Sequence, residues 1–215
     1  TGHHAPVGSA RGRVDLEDEA IRLTRLLVQL MPDETDAHGL LGLMLATTAR
    51  RLGRTDDEGS VLLLEQQDRA AWDQAMVAEA AGEIDQAMQG GRIGTHTLQA
   101  AIALEHSAAK SYEATNWERI ADLYRLLDTV EDSAVVKVNR SIAVAKASGP
   151  AEGLDLIEQV SGVDGWHLYW AAKASLLEEL GRRSDAAQAL DLALACSMND
   201  DDRALLESRR AALST

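Results

Sequence analysis

The sequence is poor in residues that several common protein classes depend on. It has no Phe, a single Cys, three Pro and only 3% aromatic residues. The core must therefore be built from Leu, Ala, Val, Ile and Met, a composition that favours closely packed helices over sheets. Cys196 has no second cysteine to pair with, so we interpret it as a small packed side chain and expect a reducing, cytoplasmic compartment.

Positive charge is also scarce. The 215 residues carry 21 Lys and Arg against 35 Asp and Glu, which gives a formal charge of −14. Such a surface repels phosphate, so the sequence predicts no direct binding of DNA or RNA by this segment. A basic protein partner would explain the acidity, and so would solubility alone.

Export and membrane signals are missing from the sequence. It contains no signal-peptide pattern and no apolar run near the length of a membrane span, so we expect no membrane contact. The first residue is Thr1 rather than Met, which leads us to expect a fragment or a processed product.

Apolar residues recur at helical spacing along most of the chain. Between Leu16 and Met31 they return every three or four positions until Pro32, and the stretch 40–46 is apolar on nearly all sides, as in a buried helix. No segment alternates with the period of a strand. We predict helices over about 16–31, 35–52, 68–88, 95–112, 116–128, 133–147, 151–160, 166–180, 184–197 and 200–212. These patterns predict an all-α fold of roughly ten helices in antiparallel pairs.

The C-terminal third contains a repeat typical of tetratricopeptide proteins. Its large, small and turn residues follow in the expected order: Trp170, Ala174, Leu177, Gly181, Ala186, Leu190, Ala193. The small residues allow two antiparallel helices to approach, while the large ones fill the gaps between them. A degenerate copy begins with Trp117, Ala121 and Tyr124 but lacks a clear turn glycine. The prediction is a stack of helix pairs, a tetratricopeptide-like solenoid.

The sequence also predicts two helix caps and one domain boundary. Asp68 is predicted to cap the helix over 68–88, and Thr115 with Glu118 has capping-box spacing. We predict a boundary near Ser111 to Thr115. The domains follow as an irregular lead-in over 1–14, an N-terminal helical module over 15–112 and tetratricopeptide-like repeats over 115–215.

Several short patterns suggest ligand sites, but each has a simpler explanation. His3-His4 lacks the further ligands of a zinc site, and His96 and His106 are nearly three helical turns apart. The glycine-rich run 90–95 lacks the ending of a phosphate loop, and the acidic run 199–202 lacks the spacing of a calcium loop. We therefore predict no metal and no cofactor.

Motifs for catalysis are missing too: there is no nucleophile elbow, no His-Glu-x-x-His and no Cys-x-x-Cys. The sequence therefore predicts no enzyme activity and no catalytic residue. An enzyme would require His96 or His106 to lie in a polar pocket with acidic partners.

The segment 64–73 concentrates charges, amides and one tryptophan ahead of a helix. It can be interpreted as a structural network of cap, ion pair and tryptophan anchor. It can also be an interaction surface, because Trp and Arg dominate protein–protein hot spots. The sequence leaves both interpretations open.

Taken jointly, several motifs resemble one known family. They are Leu41-Gly42-Leu43-Met44-Leu45, Arg50-Arg51, the run 63–69 with Trp72-Asp73, the run 98–103, Asn116-Trp117, Ile120, Leu123-Tyr124, Val135-Val136 and Asn139-Arg140. With the repeat from Trp170, they resemble the tetratricopeptide-like C-terminal extension of a subgroup of extracytoplasmic-function RNA polymerase sigma factors. The segment Thr1-Gly2-His3-His4 departs from the family's aromatic-rich opening.

The resemblance implies a role in transcription initiation. The extension would contact sigma domains upstream in the same polypeptide, core RNA polymerase or a signalling protein. The candidate contact residues are Arg50, Arg51, Asp68, Arg69, Trp72, Gln99, Asn139 and Arg140. The alternative is a free-standing tetratricopeptide adaptor that holds a peptide in its concave groove.

Overall fold

The computed structural model describes residues 10–55, 62–90, 93–196 and 198–213. Throughout these ranges the chain is helical or irregular and forms no extended strand, so the predicted all-α fold class is confirmed. None of the helices in the same ranges combines the length and apolar character needed to cross a bilayer.

The chain divides into two compact units, and the division in the sequence falls between Thr115 and Asn116. The described part of unit 1 contains α1 (Ala10–Leu30), α2 (Thr35–Thr48), α3 (Gln74–Gln89) and α4 (Thr95–Ala108), with short 3₁₀ turns at Arg51–Gly53, Leu64–Gln66 and Arg69–Ala71. That of unit 2 contains α5 (Trp117–Val130), α6 (Ala134–Ser148), α7 (Pro150–Ile157), α8 (His167–Glu179), α9 (Arg183–Ala195) and α10 (Asp200–Ala212).

Helix α2 is the central element of unit 1 and packs against α1, α3 and α4. Its glycines allow these close approaches. A Cβ on Gly42 would lie 2.7 Å from Cγ1 of Ile84 on α3, and one on Gly39 would lie 2.8 Å from the backbone nitrogen of Thr97 on α4. Contact on several sides explains why the sequence of α2 is apolar nearly all round.

Helix α1 buries a different stripe from the one that its leucines suggest. Ile21 and Thr24 are buried, and Val28 packs against the same core cluster. The leucines at 16, 23, 26, 27 and 30 are instead exposed, with Leu16 at 71% and Leu30 at 72%. We call these five side chains the leucine face. A helix has several faces, and periodicity shows that one is apolar without showing which one meets a neighbour.

Several helix starts differ from the sequence prediction. Helix α1 begins at Ala10, inside the predicted irregular lead-in 1–14, because Ala and Arg support a helix there. The first nine residues of that lead-in, including His3-His4, lie outside the described residues. Helix α5 is capped by Asn116, whose Oδ1 accepts from the nitrogen of Arg119, and not by Thr115.

In unit 2, α8 and α9 form the helix pair that the repeat pattern describes. Ala174, Ala186 and Ala193 are completely buried, and Leu177 and Leu190 are buried beside them. Gly181 has a φ of +71°, a conformation that glycine adopts without steric cost, and it turns the chain between the two helices. Trp170 is only half-buried.

The degenerate copy predicted from Trp117 begins on α5, which packs against α6. On α5 the buried residues are Ile120, Leu123 and Leu127, whereas the predicted packing residues Trp117, Ala121 and Tyr124 are half-buried. A turn glycine does exist, but it connects α6 to α7: Gly149 has a φ of +127°. Nearby, a Cβ on Gly153 of α7 would lie 2.7 Å from the carbonyl oxygen of Ser141, so α6 pairs closely with α7 as well as with α5.

Enlarging the small residue at the α8–α9 contact should destabilise unit 2. We expect Ala174→Leu to lower the free energy of unfolding by about 1–3 kcal/mol, because a fully buried position has no space for the added atoms. Urea denaturation followed by circular dichroism measures the change. Ala151→Leu, the same substitution at an exposed position of α7, is the control and should change stability by less than about 0.5 kcal/mol.

Candidate functional site

Three of the predicted contact residues converge in unit 1. The indole of Trp72 is 3% exposed, and two guanidinium groups lie against its ring. The Cζ atom of Arg50 is 5.3 Å from the ring centroid and that of Arg69 is 4.7 Å from it, both within the range of a cation–π contact. We call Arg50, Gln67, Arg69, Trp72 and His106 the tryptophan cluster.

Two aspartates set the path of the chain into this cluster. Oδ1 of Asp68 accepts from the nitrogen of Ala70 at 2.9 Å and starts a 3₁₀ turn, not the predicted long helix. Trp72 then adopts an extended conformation with ψ of 143°, which separates this turn from α3. Asp73 caps α3 by accepting from the nitrogens of Ala75 and Met76, so the cap of this helix lies five residues after the predicted one.

Glycine at position 53 allows the backbone to approach the indole. A Cβ there would lie 2.7 Å from Nε1 of Trp72, 2.9 Å from Cδ1 of the same ring and 3.0 Å from the carbonyl oxygen of Asp68. The sequence analysis did not identify Gly53 as a site residue, although it lies in the basic run that follows Arg50. Its importance depends on a contact with a residue nineteen positions away.

The arginines are fixed by neutral groups. Nη1 of Arg69 donates to the carbonyl oxygens of His106 at 2.6 Å and Ala109 at 2.8 Å, which lie in the last turn of α4 and just beyond it. Nη2 of Arg50 donates to Oε1 of Gln67 at 3.2 Å. Arg69 therefore acts as a C-terminal cap of α4, where a positive charge is favourable.

Positive charge accumulates in the cluster. Burial lowers the pKa of Arg50, and the positive charges of Arg54 and Arg69 lower it further. Burial also lowers the pKa of Arg69, although Glu113 opposes this shift. Burial, with Arg50 and Arg69 nearby, lowers the pKa of His106 to about 4, so this imidazole is neutral at pH 7.

This geometry supports part of each of the two interpretations of segment 64–73. The cap and the tryptophan anchor are present, with Trp72 too buried to offer a partner its ring. The two arginines keep part of their surface in solvent, and Asp68 is exposed. Any partner would therefore meet the arginines and not the indole.

The remaining contact candidates are Arg51 and Gln99 in unit 1 and Asn139 and Arg140 in unit 2. Arg51 pairs with Asp18 of α1 at 2.8 Å, and Gln99 is half-buried on α4. In unit 2, Nη1 of Arg140 lies 3.1 Å from Oδ2 of Asp128, beside a cavity of about 180 Å³ whose walls include Leu156 and Val160. Burial raises the pKa of Tyr124, which a hydrogen bond with Asn139 partly opposes.

His106 and His96 have different charged neighbours. Besides burial, the charges of Arg50 and Arg69 lower the pKa of His106. His96 is exposed and lies with Glu34 and Asp36 at an open cavity of about 440 Å³. Within the described ranges, no three His, Cys, Asp or Glu side chains are grouped so that they could hold a metal ion. In the acidic run 199–202, Asn199 caps α10 through the nitrogen of Asp202.

Comparison with known proteins gives two similarities. Residues 1–88 match a family model described as a family of unknown function (DUF6596). Over 206 residues the chain is 40% identical to an uncharacterized protein of Rhizobium meliloti (strain 1021). That match covers 95% of this chain and 49% of the relative, so the chain spans about half the length of the curated relative it matches.

The close approach at Gly53 predicts a large effect of a single methyl group. We expect Gly53→Ala to lower the free energy of unfolding of unit 1 by about 1–3 kcal/mol, because the new Cβ must displace the buried indole. Trp72 is the only tryptophan among residues 1–115, so urea denaturation followed through its indole N–H resonance measures this unit.

Gly82→Ala is the matched control, since a Cβ at that position in α3 has no atom within 4 Å. It should stabilise the unit by up to about 1 kcal/mol through the higher helix propensity of Ala. Equal effects of the two substitutions would contradict the proposed role of the glycine at 53.

The lowered pKa of His106 predicts a pH dependence of stability. The folded chain keeps this imidazole neutral down to about pH 4, whereas the unfolded chain protonates it near its ordinary value of 6.5. The unfolded state binds more protons over this window, so stability falls as pH drops through it, by about 2 kcal/mol between pH 7 and pH 5. His106→Gln should remove that part of the pH dependence in urea denaturation.

His96→Gln, a substitution of an exposed histidine on the same helix, should leave the pH dependence of the wild type intact. If His106→Gln and His96→Gln follow the wild-type curve equally, the buried imidazole does not contribute.

Proposed function

We propose that this chain is a regulatory protein-interaction domain of an RNA polymerase sigma factor, acting in transcription initiation by contacting sigma domains or core polymerase. The observation that carries the proposal is the leucine face of α1. Soluble proteins rarely leave such a contiguous apolar stripe open, and one that persists marks a protein contact. The resemblance identified in the sequence supplies the kind of partner.

The leucine face has the spacing of a helix-docking surface. Leu16, Leu23, Leu27 and Leu30, with the half-buried Ala20, follow one another at intervals of four, three, four and three residues. This is the pattern by which two helices interdigitate along a common seam. A partner helix with an aliphatic stripe of its own would bury these side chains, which lie on the part of α1 not used by α2.

Charge and length support the same proposal. The formal charge of −14 favours a basic partner, and four carboxylates between Asp15 and Glu19 lie beside the leucine face. The relative from Rhizobium meliloti is about twice as long as the segment that matches. Under the proposal, the additional length in a protein of this kind includes the sigma domains.

The proposal is tested by adding the chain to a separately purified sigma portion of the same protein and, in parallel, to core polymerase. We expect binding to at least one of them that weakens as salt rises, because charges contribute to the contact. The double substitution Leu23→Glu and Leu27→Glu should raise the Kd at least tenfold, since burying two leucines contributes about 3 kcal/mol or more.

Leu168→Glu, which places the same charge at an exposed leucine of α8, is the control and should bind like the wild type. Circular dichroism checks that each variant is folded. If the wild type binds neither the sigma portion nor core polymerase at low salt, the proposed function is wrong. Binding that is unaffected by the double substitution would assign the contact to another face.

The adaptor alternative has one observation in its favour. The cavity beside Arg140 in unit 2 combines the ion pair to Asp128 with aliphatic walls from Leu156 and Val160. A peptide segment carries both polar backbone groups and apolar side chains, so it suits such a lining. A peptide partner that binds unit 2 without any sigma portion would support this function instead.

A further inference from the structure

The arginines of the tryptophan cluster differ from most arginines of the described chain. Arg25 pairs with Glu79, Arg51 with Asp18 and Arg209 with Glu178, each at 2.8 Å or less. Arg50 and Arg69 form no ion pair with a carboxylate anywhere in the described ranges, although the chain has 35 acidic residues. Glu113 acts on Arg69 electrostatically but is not paired with it, and no carboxylate raises the pKa of Arg50. Two half-buried like charges that are compensated so weakly are unfavourable, and a bound anion would relieve them.

The cluster also holds N–H groups without an acceptor. Nε of Arg50, Nη2 of Arg69 and Nε1 of Trp72 are buried, and none of them has a hydrogen-bond partner. A buried donor left unsatisfied costs about 1–3 kcal/mol. All three belong to Trp72 or to an arginine whose guanidinium group lies against its ring, so they form one local surplus of donors and positive charge.

The guanidinium groups of Arg50 and Arg69 are held in place in the absence of a ligand. Gln67 fixes Arg50, and it is itself anchored because its Nε2 donates to the carbonyl oxygen of Leu62 at 3.0 Å. The last turn of α4 fixes Arg69 through two carbonyl oxygens. Arg50 and Arg69 are half-buried residues, so part of their surface remains in solvent where a ligand can approach, although Nε of Arg50 and Nη2 of Arg69 are themselves buried. Because the two arginine side chains are already positioned, they lose little conformational entropy when a ligand binds.

We propose that Arg50 and Arg69 form a binding site for an oxyanion, a phosphate or a carboxylate, at the edge of the tryptophan cluster. Guanidinium groups bind both anions through paired N–H donors, and an oxyanion can accept from several donors at once. The neutral His106 beside them adds no positive charge at pH 7, so the two arginines set the affinity. The site differs from the leucine face, and its existence does not depend on the proposed function.

The test is a titration of the whole chain with sodium phosphate and, separately, with sodium acetate, each compared with sodium chloride at equal ionic strength and at pH 7. Two-dimensional NMR follows the Nε–H resonances of the arginines and the indole N–H of Trp72. We expect phosphate or acetate to shift the Arg50 and Trp72 resonances in a saturable manner and chloride to leave them unchanged. Saturation by acetate would point to a partner's carboxylate and saturation by phosphate to a phosphate group.

Arg50→Gln should weaken the saturable response at least tenfold, whereas Arg22→Gln, which removes an exposed arginine of α1, should leave it unchanged. If Arg50→Gln does not fold, Arg50→Lys keeps the charge, loses the paired donors and should also weaken binding. The proposal is overturned if neither anion acts differently from chloride, or if the Arg50 variants respond like the wild type.

Discussion

The stacking of Arg50 and Arg69 on the indole of Trp72 joins segments of unit 1 that are distant in sequence. Arg50 follows α2, Trp72 precedes α3, and Arg69 reaches the end of α4. Three helix termini are thereby tied to one buried ring. Gly53 is required at this point because the backbone passes too close to the indole for any side chain. The proposed oxyanion site depends on the same stacking.

The two proposals place different chemistry on unit 1. The leucine face is apolar and open, and it fits a helix of another protein. The arginines of the tryptophan cluster are cationic within an acidic chain, and they fit an anion. If both are correct, a partner helix and an anion bind to the same unit, which is an arrangement through which a small ligand could alter a protein contact.

Sequence patterns predicted the structure correctly where it depends only on residues close together in the sequence. The spacing of Ala174, Gly181 and Ala186 predicted the α8–α9 helix pair, because small residues at a helix contact and a glycine at a turn are needed whatever surrounds them. On α5 the repeat pattern named Trp117, Ala121 and Tyr124, which are half-buried, whereas the fully buried residues there are Ile120, Leu123 and Leu127. Nothing in a helical period specifies which neighbouring helix is the partner.

The sequence by itself determined the all-α class, most of the helices and the concentration of charge around one tryptophan. Only the tertiary structure decided that α1 turns Ile21 and not its leucines to the core, that Trp72 is buried, and that Arg50 and Arg69 both lie against its ring. The reason is that periodicity and composition describe each segment alone. Burial, the effect of neighbouring charges and a lowered pKa are properties of groups brought together from distant parts of the chain.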